Sequence, residues 1–264
     1  MSIPSPVLAV PFHPPSTEDF VFDFLVGPVE VLGIKIGLNY IMILLILAFT
    51  AFVLFFLLAF RRPQMIPGKF QSLAEMLVEF VRNQIVIQMI GPEGLPFMAL
   101  LATLFFFIFF GNILEIVPGV NFPMNSRLAF PLVMALVSWV VYNAVGVRRH
   151  GPLGYLKHVM FPPGVPVAIK PFLAVIEFFS VIIVRPITLT VRLTANMIAG
   201  HFLLAVFFLG TIVFFTGVPY VFGLIPFALA VVLVGFEIFV STLQAFIFAV
   251  LTASYIAGAM AEEH

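Results

Sequence analysis

No cysteine occurs among the 264 residues, and charged side chains make up only 9% of them. The first absence excludes a disulfide framework, thiolate chemistry and any cysteine-ligated metal. The second excludes an ordinary soluble domain, in which about a quarter of residues carry charge. Neither sign is in excess, since twelve Lys and Arg balance twelve Asp and Glu, so no basic field exists to hold nucleic acid. His-Glu-x-x-His is missing and His201 is the only His inside an apolar stretch, too few ligands for an intramembrane metalloenzyme. No metal or cofactor is expected. What the chain has instead is 62% hydrophobic residues, with 34 Phe, arranged in long uncharged runs. That composition reads as an all-α protein embedded in a lipid bilayer.

Residues 1–35 hold Glu18, Asp19, Asp23, Glu30 and six prolines, without the basic start and small-residue cleavage site of a signal peptide, and are read as an external segment. Residues 36–264 form a single membrane domain. Its first crossing is 36–60, which carries no charge and spans about 37 Å at 1.5 Å per residue. Over 68–90, Lys69, Ser72, Glu75, Glu79, Arg82 and Asn83 recur on one helical face and Phe70, Leu73, Leu77, Val81 and Ile85 on the other. This spacing predicts an amphipathic helix on the membrane surface. Residues 96–117 and 128–147 are two further crossings in a hairpin. Arg148, Arg149, His150 and Lys157 follow in a loop expected to end near Pro166.

Two apolar stretches remain, 167–215 and 218–261, parted by Thr216-Gly217-Val218-Pro219. Each is twice as long as a bilayer requires, so each is either two crossings or one steeply tilted helix, and Pro186 and Pro226 are kinks at most. Eight basic residues, Arg61, Arg62, Lys69, Arg82, Arg148, Arg149, Lys157 and Lys170, fall on one side, against Lys35 and Arg127 on the other. The richer side is the cytoplasm. With five crossings, the N-terminus lies outside and Glu262-Glu263-His264 inside.

Ionisable and amide groups interrupt the last third. Glu177, Arg185, Arg192, Asn196, His201, Glu237 and Gln244 stand in apolar surroundings, where a charge at the bilayer centre costs about 2.5–3.5 kcal/mol even on the lenient scale. Arg185 and Arg192 are two turns apart on one stripe with Thr188 and Asn196. His201 points to the opposite face, about 900° of rotation after Arg192. Glu237, Ser241, Gln244 and Tyr255 share a line on the last helix. If the two stretches fold back at Gly217, Arg192 and Gln244 lie at one depth, and His201 and Glu237 lie about one turn apart nearer the outer surface.

Arg-Pro-Ile-Thr-Leu-Thr-Val-Arg-Leu-Thr-Ala-Asn-Met-Ile-Ala-Gly-His at 185–201 and Ser-Thr-Leu-Gln-Ala-Phe-Ile-Phe-Ala-Val-Leu-Thr at 241–252 resemble subunit a of the bacterial F-type ATP synthase. The likeness extends from the Arg62 loop through Gly-Asn-Ile-Leu-Glu-Ile-Val-Pro at Gly111 to the C-terminal helix. The resemblance implies five crossings and a surface helix, the last two crossings being single tilted helices beside a ring of c subunits. It implies a multi-pass protein of the bacterial inner (plasma) membrane, with the c ring, the peripheral-stalk b subunits and the rest of the synthase as partners. It further implies that the subunit passes protons rather than catalysing a reaction, with Arg192 facing the ring carboxylate and Asn196, His201, Glu237 and Gln244 serving translocation. Asn112 and Glu115 would line the outer half-channel and Glu177 and Ser180 the cytoplasmic one, with Ser241 and Tyr255 as further lining candidates. Glu177 stands 15 residues before Arg192, where some relatives have 14. Thr194 stands where many bacterial members carry Phe, a departure that bears on packing against the ring. The competing reading is a secondary transporter with mid-membrane ionisable groups, but that class shows repeated halves with broken helices, and no such repeat is visible.

Overall fold

The computed structural model describes residues 25, 27, 29–31, 34–36, 39–117, 120, 122–161, 169–217 and 223–261. His13, the acidic positions Glu18, Asp19 and Asp23, the turn residues Val218 and Pro219, Pro166 and the C-terminal Glu262-Glu263-His264 lie outside them. Two three-residue strands, β1 (Val29–Val31) and β2 (Ile34–Ile36), pair antiparallel with Glu30 in register with Lys35. Everything after them is helical or turn. Five helices are long and apolar enough to cross a membrane.

The first crossing, α1 (Tyr40–Phe60), starts where the Asn39 side chain accepts a hydrogen bond from the Met42 N–H at 2.9 Å, which satisfies one of the first-turn donors. One stripe of it is buried, Ile41, Leu44 and Ala48, while Ile46, Phe49, Leu54, Leu57 and Leu58 stay exposed. An uncovered aliphatic and aromatic face of this size is stable only against lipid or a partner. Its inner aromatics form an edge-to-face cluster with the next crossing, Phe56 meeting Phe106 at 4.8 Å, and Phe55 meets Phe70 at 5.2 Å. Many of the phenylalanines are therefore inter-helix packing.

The amphipathic segment divides in two. The regular helix α2 (Lys69–Phe80) gives way to a wider π turn over Val81–Ile87, whose Val81, Ile85 and Val86 are fully buried in the main core. Protein, not lipid, covers that end of the apolar face. Phe70, Leu73, Met76 and Phe80 remain exposed nearer its start. Gln71 anchors the preceding turn, accepting from the Gln64 N–H at 3.1 Å and donating to the Gln64 carbonyl at 3.2 Å.

The hairpin consists of α3 (Met98–Ile113), led in by a 3-10 turn over Pro92–Phe97, and α4 (Ala129–Met160). Here the expected loop after residue 147 is corrected. Arg148, Arg149 and His150 continue the helix, and a second helical piece resumes after Gly151 and runs to Met160 with Lys157 and His158 on it. Gly151 has φ +72°, a conformation side chains resist, and Pro152 supplies no N–H, so this pair makes a kink where sequence suggested an end. Arg149 then reaches back to Glu93 at 3.0 Å.

Each of the long apolar stretches is one helix. The fourth span runs continuously over Lys170–Phe215, as α5 (Lys170–Phe179), a π turn (Ser180–Val184) and α6 (Arg185–Gly217). The fifth is α7 (Leu224–Met260). At 1.5 Å per residue these are about 69 and 56 Å long, beyond the ~30 Å hydrocarbon core. Fully buried Ala245, Ala249 and Ala253, four apart on α7, let it approach α3 and α6 closely. Thr252 donates to Ser138 at 3.2 Å and ties α7 to α4. On the other side α6 and α7 carry an open face, with Ile187, Val191, Val232, Phe236 and Phe239 all exposed.

Candidate functional site

Polar groups collect at three levels along α6. At the first, Glu115 in the turn after α3 places its buried carboxylate 3.6 Å from His201 Nδ1. Phe122 packs on the same imidazole at 5.5 Å, edge to face. Gly200, the next residue on α6, faces Glu237 of α7 so closely that a Cβ there would overlap the carboxylate. Glu237 and Ser241, one turn apart, are both buried. The carboxylate on His201 Nδ1 is thus that of Glu115, with Glu237 in the adjoining position and near enough to Glu115 to interact electrostatically. Two carboxylates and one imidazole share this layer.

Asn112 completes the layer with a residue that sequence reasoning missed. Asn125 Nδ2 donates to Asn112 Oδ1 at 2.7 Å, and both side chains are fully buried. The approach depends on Gly111, where a Cβ would come within 2.8 Å of Met124 and 3.1 Å of Asn125 Nδ2. Asn125 sits in a short connector with no periodicity to betray it. Its Oδ1, Asn112 Nδ2, both Glu115 oxygens, Glu237 Oε1 and Ser241 Oγ are buried without a hydrogen-bond partner among the described residues. Buried polar atoms are seldom left so, and a cluster of them suits water and proton traffic better than rigid packing.

The second level lies eight residues back along α6 and seven forward along α7 from the Gly200–Glu237 contact. Counting from that contact puts Arg192 and Gln244 at one level to within about one residue's 1.5 Å rise. Arg192 is exposed on the open face, beside exposed Val191, whereas Asn196 and Gln244 are half-buried. Thr194 is buried, so its difference from Phe acts inside the bundle and not on the open face.

At the third level a cleft of about 180 Å³ is lined by Glu177, Arg185, Tyr155 and His158. Arg185 lays its guanidinium over the Tyr255 ring at 4.8 Å, and Tyr255 packs against Tyr142 at 5.6 Å. Ser180 opens the π turn between Glu177 and Arg185 and is half-buried.

The family model described as ATP synthase A chain matches residues 40–257. The chain is 40% identical to ATP synthase subunit a of Parafrankia sp. (strain EAN1pec) over 259 residues, covering 94% of this chain and 84% of the relative. It is 41% identical to the subunit a of Frankia alni over 266 residues, covering 98% and 90%. The chain belongs to the ATP synthase subunit a family. The subunit a of Rhodospirillum rubrum is 36% identical over 248 residues, 94% of this chain and 98% of that one. Membership makes the chain a multi-pass component of the membrane sector of a bacterial ATP synthase, a proton-transporting complex.

For this subunit a the shared level of Arg192 and Gln244 has a direct check. Arg192→Cys together with Gln244→Cys, in a chain with no cysteine of its own, should be joined by a short bifunctional thiol reagent. Crosslinking of Arg192→Cys to a position a full turn or more from Gln244, in preference to Gln244→Cys, would show that the α6–α7 register differs from the one counted here.

Proposed function

We propose that the chain is the stationary proton-translocating element against which a ring of c subunits turns, with two half-channels that do not meet and Arg192 between them. The observation that carries this reading is positional: the one charged group on the open α6–α7 face among the described residues, Arg192, lies between two polar zones at different levels of α6. On one side are Asn112, Glu115, His201, Glu237 and Ser241. On the other are Glu177, Ser180, Arg185 and Tyr255.

The chemistry follows from charge. Arginine stays protonated at any relevant pH, so Arg192 cannot pass a proton along and acts as a fixed cation. A ring carboxylate moving past it is favoured as the anion and gives up its proton to the nearer half-channel. The same cation repels a proton that would step straight from one zone to the other. A proton entering at the Glu115, His201 and Glu237 layer therefore loads the ring and leaves through the Glu177 cleft only after the ring has rotated. Histidine exchanges protons near neutral pH, which suits His201 to entry and favours protons over sodium. Each charge moved through 100 mV supplies about 2.3 kcal/mol, so several are summed for each ATP made elsewhere in the complex. The basic residues of the connecting segments place the Glu177 cleft on the cytoplasmic side, the N-terminus outside and the C-terminus inside. Peripheral-stalk b subunits complete the stator.

This reading requires the open face to lie against the ring. A cysteine at Val191, half-exposed there, should crosslink to one on the outer helix of the ring in the assembled complex, while one at fully buried Ala249 should not. Crosslinking from Ala249→Cys with none from Val191→Cys would place the ring elsewhere and overturn the assignment.

A further inference from the structure

The helix that carries Glu177 and Arg192 holds one residue more than a regular helix would between its functional groups. Over Ser180–Val184 it widens into a π turn, and the Arg185 N–H bonds to the Ser180 carbonyl, five residues back, in place of Val181 four back. The Val181 carbonyl is thereby released. In a bilayer a released carbonyl must find another donor, and the buried Tyr142 hydroxyl of α4 supplies it at 2.6 Å. Pro186 lies just beyond and has no N–H to donate, which weakens the regular ladder at this point and makes the wider turn easier to accommodate.

The extra residue changes where Glu177 points. Glu177 is eight residues before Arg185, and at 100° per residue in an unbroken α-helix the two would diverge by about 80°. A π turn absorbs one residue, so the pair behaves as though seven apart, about 20° from a common line. The structure agrees with the second figure, since Glu177, Val181 and Arg185 line the same cleft. By the same count the 15-residue step from Glu177 to Arg192 acts as 14.

We propose that Tyr142 is a positioning residue: by capping the Val181 carbonyl it holds the π turn, and the π turn sets Glu177 into the cytoplasmic cleft in line with Arg185 and Arg192. The inference rests on the reading of that cleft as a half-channel for its functional meaning, but its geometry is tested separately. If the π turn is lost without loss of a residue, the segment before it rotates and Phe178, now 14 residues before Arg192, takes the place of Glu177.

The experiment uses single cysteines at Glu177 or Phe178 in the assembled complex, in inverted membrane vesicles, with labelling by a water-soluble methanethiosulfonate. In the parent chain Glu177→Cys should label and Phe178→Cys should not. Tyr142→Phe removes only the hydroxyl, and one inter-helix hydrogen bond in a membrane is worth up to about tenfold in population. Labelling should accordingly fall by up to about tenfold at Glu177→Cys and rise at Phe178→Cys. Deletion of Ile183 should restore a regular helix, keep Glu177→Cys labelled and make Tyr142→Phe without effect. Unchanged labelling at both cysteines in Tyr142→Phe would overturn the proposal, as would an equal loss at Glu177→Cys with and without Ile183. If the deletion does not assemble, the exchange between the two cysteines in Tyr142→Phe alone decides. Glu177→Gln with undiminished proton pumping would instead remove the half-channel reading and leave the labelling result standing.

Discussion

Arg192→Ala is expected to lower proton-driven ATP synthesis in membrane vesicles by about a hundredfold or more, the scale on which loss of a single preorganised charge-stabilising group is felt, while the subunit still inserts and assembles. The side chain is exposed on the open face, so its removal leaves the internal packing untouched. Nothing nearby can stand in for it. Arg185 is seven residues away, about 10 Å along the helix, and its guanidinium is held over the Tyr255 ring at 4.8 Å. Arg192→Lys should also fail to restore normal synthesis, because an ammonium can lose its proton and lacks the planar spread of a guanidinium. With the cation gone, a ring carboxylate is no longer favoured as the anion at the boundary between the two zones. Passive proton flow through complexes carrying Arg192→Ala should rise relative to coupled synthesis. ATP synthesis near the parent rate, with tight membranes, would show that the separation of the two zones does not depend on this charge.

Some of this was legible in the chain and some was not, for reasons that can be named. Charge-free runs such as 40–60 betray a crossing because lipid tolerates nothing else, and the same logic made Arg192, His201 and Glu237 conspicuous. Length alone could not divide the two long stretches, since composition is the same for one tilted helix or two short ones; the continuous helices Lys170–Phe215 and Leu224–Met260 decide it. The kink at Gly151 was misread because Gly next to Pro signals a chain break and a bent helix equally well. Asn125 was invisible, as its partner Asn112 lies across a connector rather than along a helix face. The neighbour of His201 was missed for a similar reason. Counting along the α6–α7 hairpin can pair only residues of those two helices, and Glu115 comes from a third segment. The π turn lay beyond pattern reading altogether, because one inserted residue leaves the apolar run unchanged.

The position of Glu115 sharpens what should happen when the outer cluster is altered. If Glu115 and His201 pass a proton as a unit, Glu115→Gln and His201→Ala should each slow proton pumping by about tenfold to a hundredfold, toward the lower end of what positioned acid–base groups contribute. The double variant should be no slower than the worse single, since the second change removes a partner already silenced. Independent contributions would multiply instead, and that result would separate the two residues despite their 3.6 Å approach. Glu237 enters the same test by exchange. His201→Glu with Glu237→His keeps one imidazole and two carboxylates in the layer, and the missing side chain at Gly200 leaves room beside position 237. That exchange should pump faster than either single change. If it proves no better than the worse single, Glu237 does not share a proton with position 201, and the path runs from Glu115 through His201 without it.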